Sequence, residues 1–524
     1  MEKNNIKDFL KINKLQLKKE CNNNILIMDR SRPDQIIRSA LTGNILNETN
    51  SFNPIIMTEN HPKSWVCDVY KSFGIKEFIF VNTLTVKLKN IDIILKSFFL
   101  TIFNIFLISA KGFQYFINNF TIKKTELGDL LYDDYIRRNL RFLKPSPFNL
   151  NFFKTLYKSF FIIYYTDKII KKKKIKLLVT SSRMHSSLCS LGCRFAAKKN
   201  IPVLYLSYNR AMFLNYQQTL IYEDKMYEKD MLKIPNQNIS ISHIEEFAEL
   251  RVKGSNITAG KTILDSDIKK AYANKLEKNK NEILEILNLS SKEIKYINLF
   301  PVHLFSDATH YGGKFFLFKD TYSQFIETVN KISKNIKKDT VWVVKPHPNA
   351  AFFNEENIVE EYLNKIKNPL IKLYPENIGL KSFLMNSNKL VTGRGNSGVE
   401  FACFGKKPII AGECYYADLG FAHFPKTKQE YFDLILDNHI DNKLSEKQTL
   451  DAKKTMYLII NTGNVSYGNI IPEYEKNFKI RTNINNYFEK LINNLKNRNF
   501  YEDDFYISLK NFILKKNNNG NFIE

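Results

Sequence analysis

The sequence predicts an α/β protein built from two doubly wound domains with a helical insertion. Three observations carry this. Short apolar runs alternate with amphipathic stretches through the first half, and a Lys-, Glu- and Asn-rich stretch from about 234 to 292 breaks the alternation. The same rhythm then restarts. Finally, 524 residues with 44% hydrophobic content are too many for one ordinary core and sufficient for two.

In the first half, apolar runs at 25–28, 54–57 and 78–81 read as parallel strands, the first ending in Asp29, Arg30, Ser31 and Arg32. A helical pattern covers 33–46. The middle is richer in helix, at 91–120, 127–140 and 152–170. A strand follows at 176–180, then a polar turn through Ser181 and His185, a helix over 186–199 and a strand over 202–206 that closes the sheet. In the second half strands are predicted at 296–301, 341–344, 371–374, 389–392 and 408–411. The helices between and after them cover 322–337, 355–366, 379–386, 397–404, 428–436 and 445–460. The expected division is 1–233, a helical linker or insertion over 234–292, 293–440, and helices over 441–524 packing back across the domains.

A formal net charge of +25 predicts attraction to phosphates, acidic glycans or an anionic membrane surface. The lysines are dispersed, and no zinc-finger spacing, RNP-type strand or basic arm is present, so nucleic acid is not an expected partner. Six cysteines are too few for a disulfide scaffold, and Cys189 and Cys193 lack zinc-ribbon spacing. Residues 1–19 are charged throughout, without the apolar core of a signal peptide, so a cytoplasmic location is expected. The stretch 91–110 nears membrane-spanning length but carries Asp92, Lys96 and Asn104. It reads as a buried or membrane-touching helix rather than a span, which allows peripheral contact with the cytoplasmic face of the inner membrane.

Ligands of open α/β sheets bind beyond the carboxyl ends of the strands, and the informative motifs fall there. Lys345-Pro346-His347-Pro348 follows the 341–344 strand. Its prolines fix the backbone, so a cation and an imidazole are held at a strand end, to meet a phosphate or to form a rigid turn. Thr392-Gly393-Arg394-Gly395-Asn396-Ser397-Gly398-Val399-Glu400 lies between a strand and a helix. Its glycines permit close backbone approach, and the helix start with Ser397 suits a phosphate. Glu413, Tyr415 and Tyr416 lie just beyond the next strand, as cleft candidates.

These motifs, with Pro301-Val302-His303-Leu304-Phe305-Ser306-Asp307, resemble the capsular-polysaccharide glycosyltransferases of the GT-B fold. That group includes capsule Kdo transferases and bacterial polysialyltransferases. The resemblance is best over 299–431; in the first half, the Leu127 to Arg137 segment looks like one found in related polysaccharide proteins. It implies two facing Rossmann-like domains, an acceptor domain first and a nucleotide-sugar donor domain second. It implies donor contacts from Lys345, His347, Pro348, Arg394, Asn396, Ser397 and Gly398, with Glu400 toward the ribose. Arg394 and Asn396 stand where smaller or hydroxyl residues are commoner in the group.

The implied reaction is a single inverting displacement on a CMP- or UDP-linked sugar, CMP slightly favoured, by a hydroxyl of a polysaccharide or lipid-linked glycan acceptor. It requires a general base, for which Asp134, His185, His303 and Asp307 are candidates. No Asp-x-Asp motif stands out, and the group generally holds no catalytic metal; no permanently bound cofactor is expected. Three other readings stay open: a polyol- or glycerol-phosphate transferase, a sugar-nucleotide epimerase, and a non-catalytic subunit of polysaccharide export.

Overall fold

The computed structural model describes residues 4–13, 15–18, 21–138, 145–182, 187–207, 209–220, 240–252, 275–307, 309–310, 315–461, 463–472 and 484–518. His185 and parts of the 234–292 stretch lie outside the described residues. The chain forms two units. Unit 1 comprises Met1–Tyr135, Pro145–Thr219 and Gly463–Glu524; unit 2 comprises Ile136–Lys144 and Leu220–Thr462.

Unit 1 contains β1 (Asn23–Met28), β2 (Phe52–Thr58), β3 (Glu77–Phe80), β4 (Thr121–Ile122), β5 (Thr125–Glu126), β6 (Ile175–Thr180), β7 (Val203–Leu206) and β8 (Ala211–Leu214). Its main sheet has the order β3-β2-β1-β6-β7-β8. β1 is wholly buried from Ile25 to Met28, as a central parallel strand covered on both faces should be. The sheet does not close at β7: β8 adds an antiparallel edge strand, pairing Leu206 with Ala211 and Val203 with Leu214. Helix Pro33–Asn50 begins with proline in its first turn and ends at Ser51 in the left-handed region (φ 56°). Two late helices, Ile484–Leu495 and Asp504–Asn518, send Phe488, Leu491, Leu509 and Ile513 into the core that holds Ile25, Ile27 and Ile36.

The helix Ile91–Asn119 is neither wholly buried nor isolated. Ile93, Ser97, Thr101, Ile105 and Ile108 are buried along one side, a three-to-four-residue spacing. The opposite side carries large exposed apolar residues, and Gly112 (φ 79°, ψ 167°) breaks the helix near its end.

Unit 2 contains β9 (Tyr296–Pro301), β10 (Thr340–Lys345), β11 (Ile371–Leu373), β12 (Lys389–Thr392) and β13 (Ile409–Ile410) in the order β11-β10-β9-β12-β13, all parallel. Strand alternation divides the side chains between two cores. Leu299, Val341, Val343 and Leu390 enter one, while Phe300, Trp342, Val344 and Val391 enter the other. The fold class is therefore the expected one, two doubly wound α/β units. In each, the strand order reverses beside the first strand: between β1 and β6, and between β9 and β12. Such reversals open a crevice at the strands' carboxyl ends.

Candidate functional site

In unit 2 the motif residues meet at this crevice. β10 pairs with β9 so that Lys345 lies opposite Pro301, and the Val302 amide donates to the Lys345 carbonyl at 2.9 Å. The loops after these neighbouring strands therefore leave the sheet together. They bring the rings of His303 and His347 to 6.1 Å between centroids.

The two imidazoles are held differently. His347 Nδ1 accepts the Asn349 amide at 3.2 Å, so the neutral ring carries its proton on Nε2. His303 Nδ1 is buried and has no hydrogen-bond partner among the described residues. Burial lowers the His303 pKa below the ordinary value; Asp307 opposes that effect and the Arg394 charge adds to it. This coupling links the loop after β9 to the loop after β12. Lys345, itself buried, lies with Nζ 5.1 Å from the Tyr374 ring centroid.

Glu355 shapes the first loop. Its two carboxylate oxygens accept the amides of Phe305 (2.8 Å) and Ser306 (2.7 Å), although burial pushes its pKa up. No sequence signal pointed to this residue, which stands eight positions after His347 with no motif around it. Asp307 lies 3.3 Å from Arg137, also in unit 2.

The loop after β12 is more internally engaged than its composition implied. Arg394 donates to the carbonyls of Thr309 and Phe315 and lies over the Phe316 ring. Asn396 Oδ1 accepts from the Tyr415 hydroxyl at 2.9 Å, and Tyr416 donates to the Gly395 carbonyl at 2.7 Å. Both tyrosines, expected as cleft residues, are buried and brace the turn. A Cβ on Gly398 would lie only 2.1 Å from the Tyr416 hydroxyl oxygen, so this glycine admits a protein side chain. For Glu400, expected at a ribose, a protein partner competes: Arg251 donates Nε to its Oε1 at 2.9 Å, with both side chains buried. Ser397 and Pro348 are half-buried.

Asp134 belongs to unit 1, where it is buried and accepts weakly from Thr155 (3.4 Å). His185 lies outside the described residues. Unit 1's own crevice is organised by Asp29, whose carboxylate accepts from Thr58 (2.7 Å), Asn60 (2.8 Å) and the Ser31 amide (3.0 Å). Among the described residues, no three His, Cys, Asp or Glu side chains converge as metal ligands would.

Fold and site together define a two-unit α/β protein with two imidazoles brought together at the strand ends of its second unit. Residues 215–460, which include every strand of that unit, match the family described as capsule polysaccharide biosynthesis protein. The match bears out the resemblance carried by the motifs. No curated protein matches the sequence significantly.

Among solved structures, the chain is similar to two of KpsC from Thermosulfurimonas dismutans. The beta Kdo 2,4 transferase shares 15% identity over 53% of this chain and 79% of that one, with a TM-score of 0.31. The beta Kdo 2,7 transferase shares 13% identity over 63% and 89%, with a TM-score of 0.30. The UDP co-structure of MnaA from S. aureus shares 13% identity over 84% and 93%, with a TM-score of 0.26. The fold assignment rests on the strand orders described above.

Proposed function

We propose that the protein is a glycosyltransferase of capsule or other surface-polysaccharide synthesis that takes its sugar from a CMP- or UDP-linked donor. The observation that carries this reading is the approach of His303 and His347 at the ends of adjacent parallel strands, with Lys345 at the end of the same strand pair, within the segment that matches the capsule family. In the proposed reaction an acceptor hydroxyl attacks the anomeric carbon, the bond to the phosphate oxygen breaks, and the nucleotide leaves with the bond's electrons. The hydroxyl proton passes to His303. Burial supports that role by keeping this imidazole neutral at pH 7. The Nε2–H of His347 and the Lys345 ammonium suit the departing phosphate. No metal is invoked in these steps.

A thermal-shift panel with CMP, CDP, UDP, GDP and ADP tests the donor site. One nucleotide should raise the melting temperature as its concentration passes its dissociation constant, and His347→Ala should abolish the rise. An equal rise in the variant would remove His347 from the site. Product analysis with radiolabelled donor then separates the alternatives. Sugar in polymer supports the transferase, polyol phosphate in polymer a phosphotransferase, and UDP released without acceptor an epimerase.

A further inference from the structure

We propose that the exposed ridge of helix Ile91–Asn119 is a docking surface for an anionic lipid bilayer, with the helix lying flat in the interface. This inference does not depend on the reaction proposed above. Ile91, Leu95, Phe98, Phe99, Phe103 and Phe106 all face outward, and Phe99, Phe103 and Phe106 are 65%, 65% and 62% exposed. They recur at helical spacing over residues 91–106, a ridge of roughly 24 Å at the α-helical rise. Leu88, before the helix, and Phe148, whose ring meets Phe106 edge-on at 6.4 Å, extend the same apolar surface. A patch of this size and continuity on a water-facing surface marks a binding face.

The helix is long and apolar enough to cross a membrane, but its packing favours a flat orientation. The opposite side is buried from Ile93 to Ile108, and the helix packs along helix Leu150–Lys173 of the same unit. Asp92 and Lys96 sit on the exposed portion. The helix can therefore present one stripe, not its circumference, to lipid.

Charge selects the occupant. Residues 84–111 carry four lysines (Lys87, Lys89, Lys96 and Lys111) and a single acid, Asp92. All four lysines are exposed, and Lys96 leans over the Tyr164 ring at 4.6 Å. An apolar stripe rimmed by ammonium groups matches acyl chains beneath acidic headgroups. A second copy of a chain of net charge +25 would instead bring like charges together.

The test is co-sedimentation of the full chain with vesicles of phosphatidylcholine alone or mixed with phosphatidylglycerol. The wild type should bind the mixed vesicles more strongly. Phe99→Glu/Phe103→Glu, at exposed positions and with an unchanged melting temperature, should reduce that binding at least about tenfold. Lys87→Glu/Lys89→Glu should weaken binding to the mixed vesicles while leaving the weaker phosphatidylcholine binding unchanged. Wild type that stays in the supernatant, or a phenylalanine double variant that binds like wild type, overturns the proposal. A solution dimer dissociated by the same phenylalanine changes, with no vesicle binding, assigns the ridge to a second copy.

Discussion

His303 and His347 are 6.1 Å apart, yet their surroundings give them different chemistry. The Asn349 amide occupies Nδ1 of His347 and leaves that ring a donor at Nε2. His303 lacks such an anchor, and burial lowers its pKa below the ordinary histidine value. A base of this kind works while neutral. Transfer activity (kcat/KM) should therefore be flat near neutral pH and decline only as pH falls through the depressed pKa, with a midpoint below about 6.5. His303→Asn should reduce kcat by roughly 10²- to 10⁴-fold and remove that acidic limb, while nucleotide thermal shifts remain. An unchanged pH profile in the variant would transfer the role to another group.

At the scale of elements, Arg251 of helix Ile241–Val252 and Glu400 of helix Asn396–Ala402 form a buried ion pair that ties the glycine-rich turn's helix to its neighbour. Removing one partner takes the Arg251–Glu400 interaction away from the other's buried charge. Arg251→Met should destabilise unit 2 by about 3–5 kcal/mol, and adding Glu400→Gln should recover much of the loss, measured by urea unfolding. If Glu400 instead serves the ribose, Glu400→Gln alone will weaken nucleotide binding with little change in stability. This partnership was not legible in the sequence, because the two residues stand 149 positions apart. By contrast, β9, β12 and helix Lys428–Leu436 have the bounds their apolar patterns predict, since buried parallel strands and an amphipathic helix write themselves in local periodicity. β8 escaped because its four residues have little alternation and depend on β7 for their pairing. The Lys-Pro-His-Pro and glycine-rich motifs marked the strand ends correctly. Which of their side chains face inward depends on Tyr415, Tyr416 and Arg251, which only the folded chain brings to them.

Across the whole molecule, early and late segments meet in unit 1. Glu48 accepts from Tyr506 (2.7 Å), Lys510 (3.1 Å) and Lys18 (2.9 Å), joining helix Pro33–Asn50 to helix Asp504–Asn518. Burial alone would raise its pKa, but these donors hold it at about 2. The native carboxylate is thus favoured relative to the unfolded one. Its stabilisation is complete above about pH 4.5 and disappears as pH falls toward 2. Glu48→Gln should cost about 1–3 kcal/mol at pH 7, and the gap from wild type should close on acidification, followed by thermal unfolding. The return of residues 463–524 to unit 1 also sets the order of events on the ribosome. Translation at about 5–20 residues per second leaves the first sheet, its strands all made, waiting through the whole of the second unit for Phe488 and Leu509 to emerge and cover its core. Unit 2 can mature earlier, so the domain begun first is the one finished last, and a nascent chain stalled before residue 484 exposes an unfilled core to the quality-control machinery.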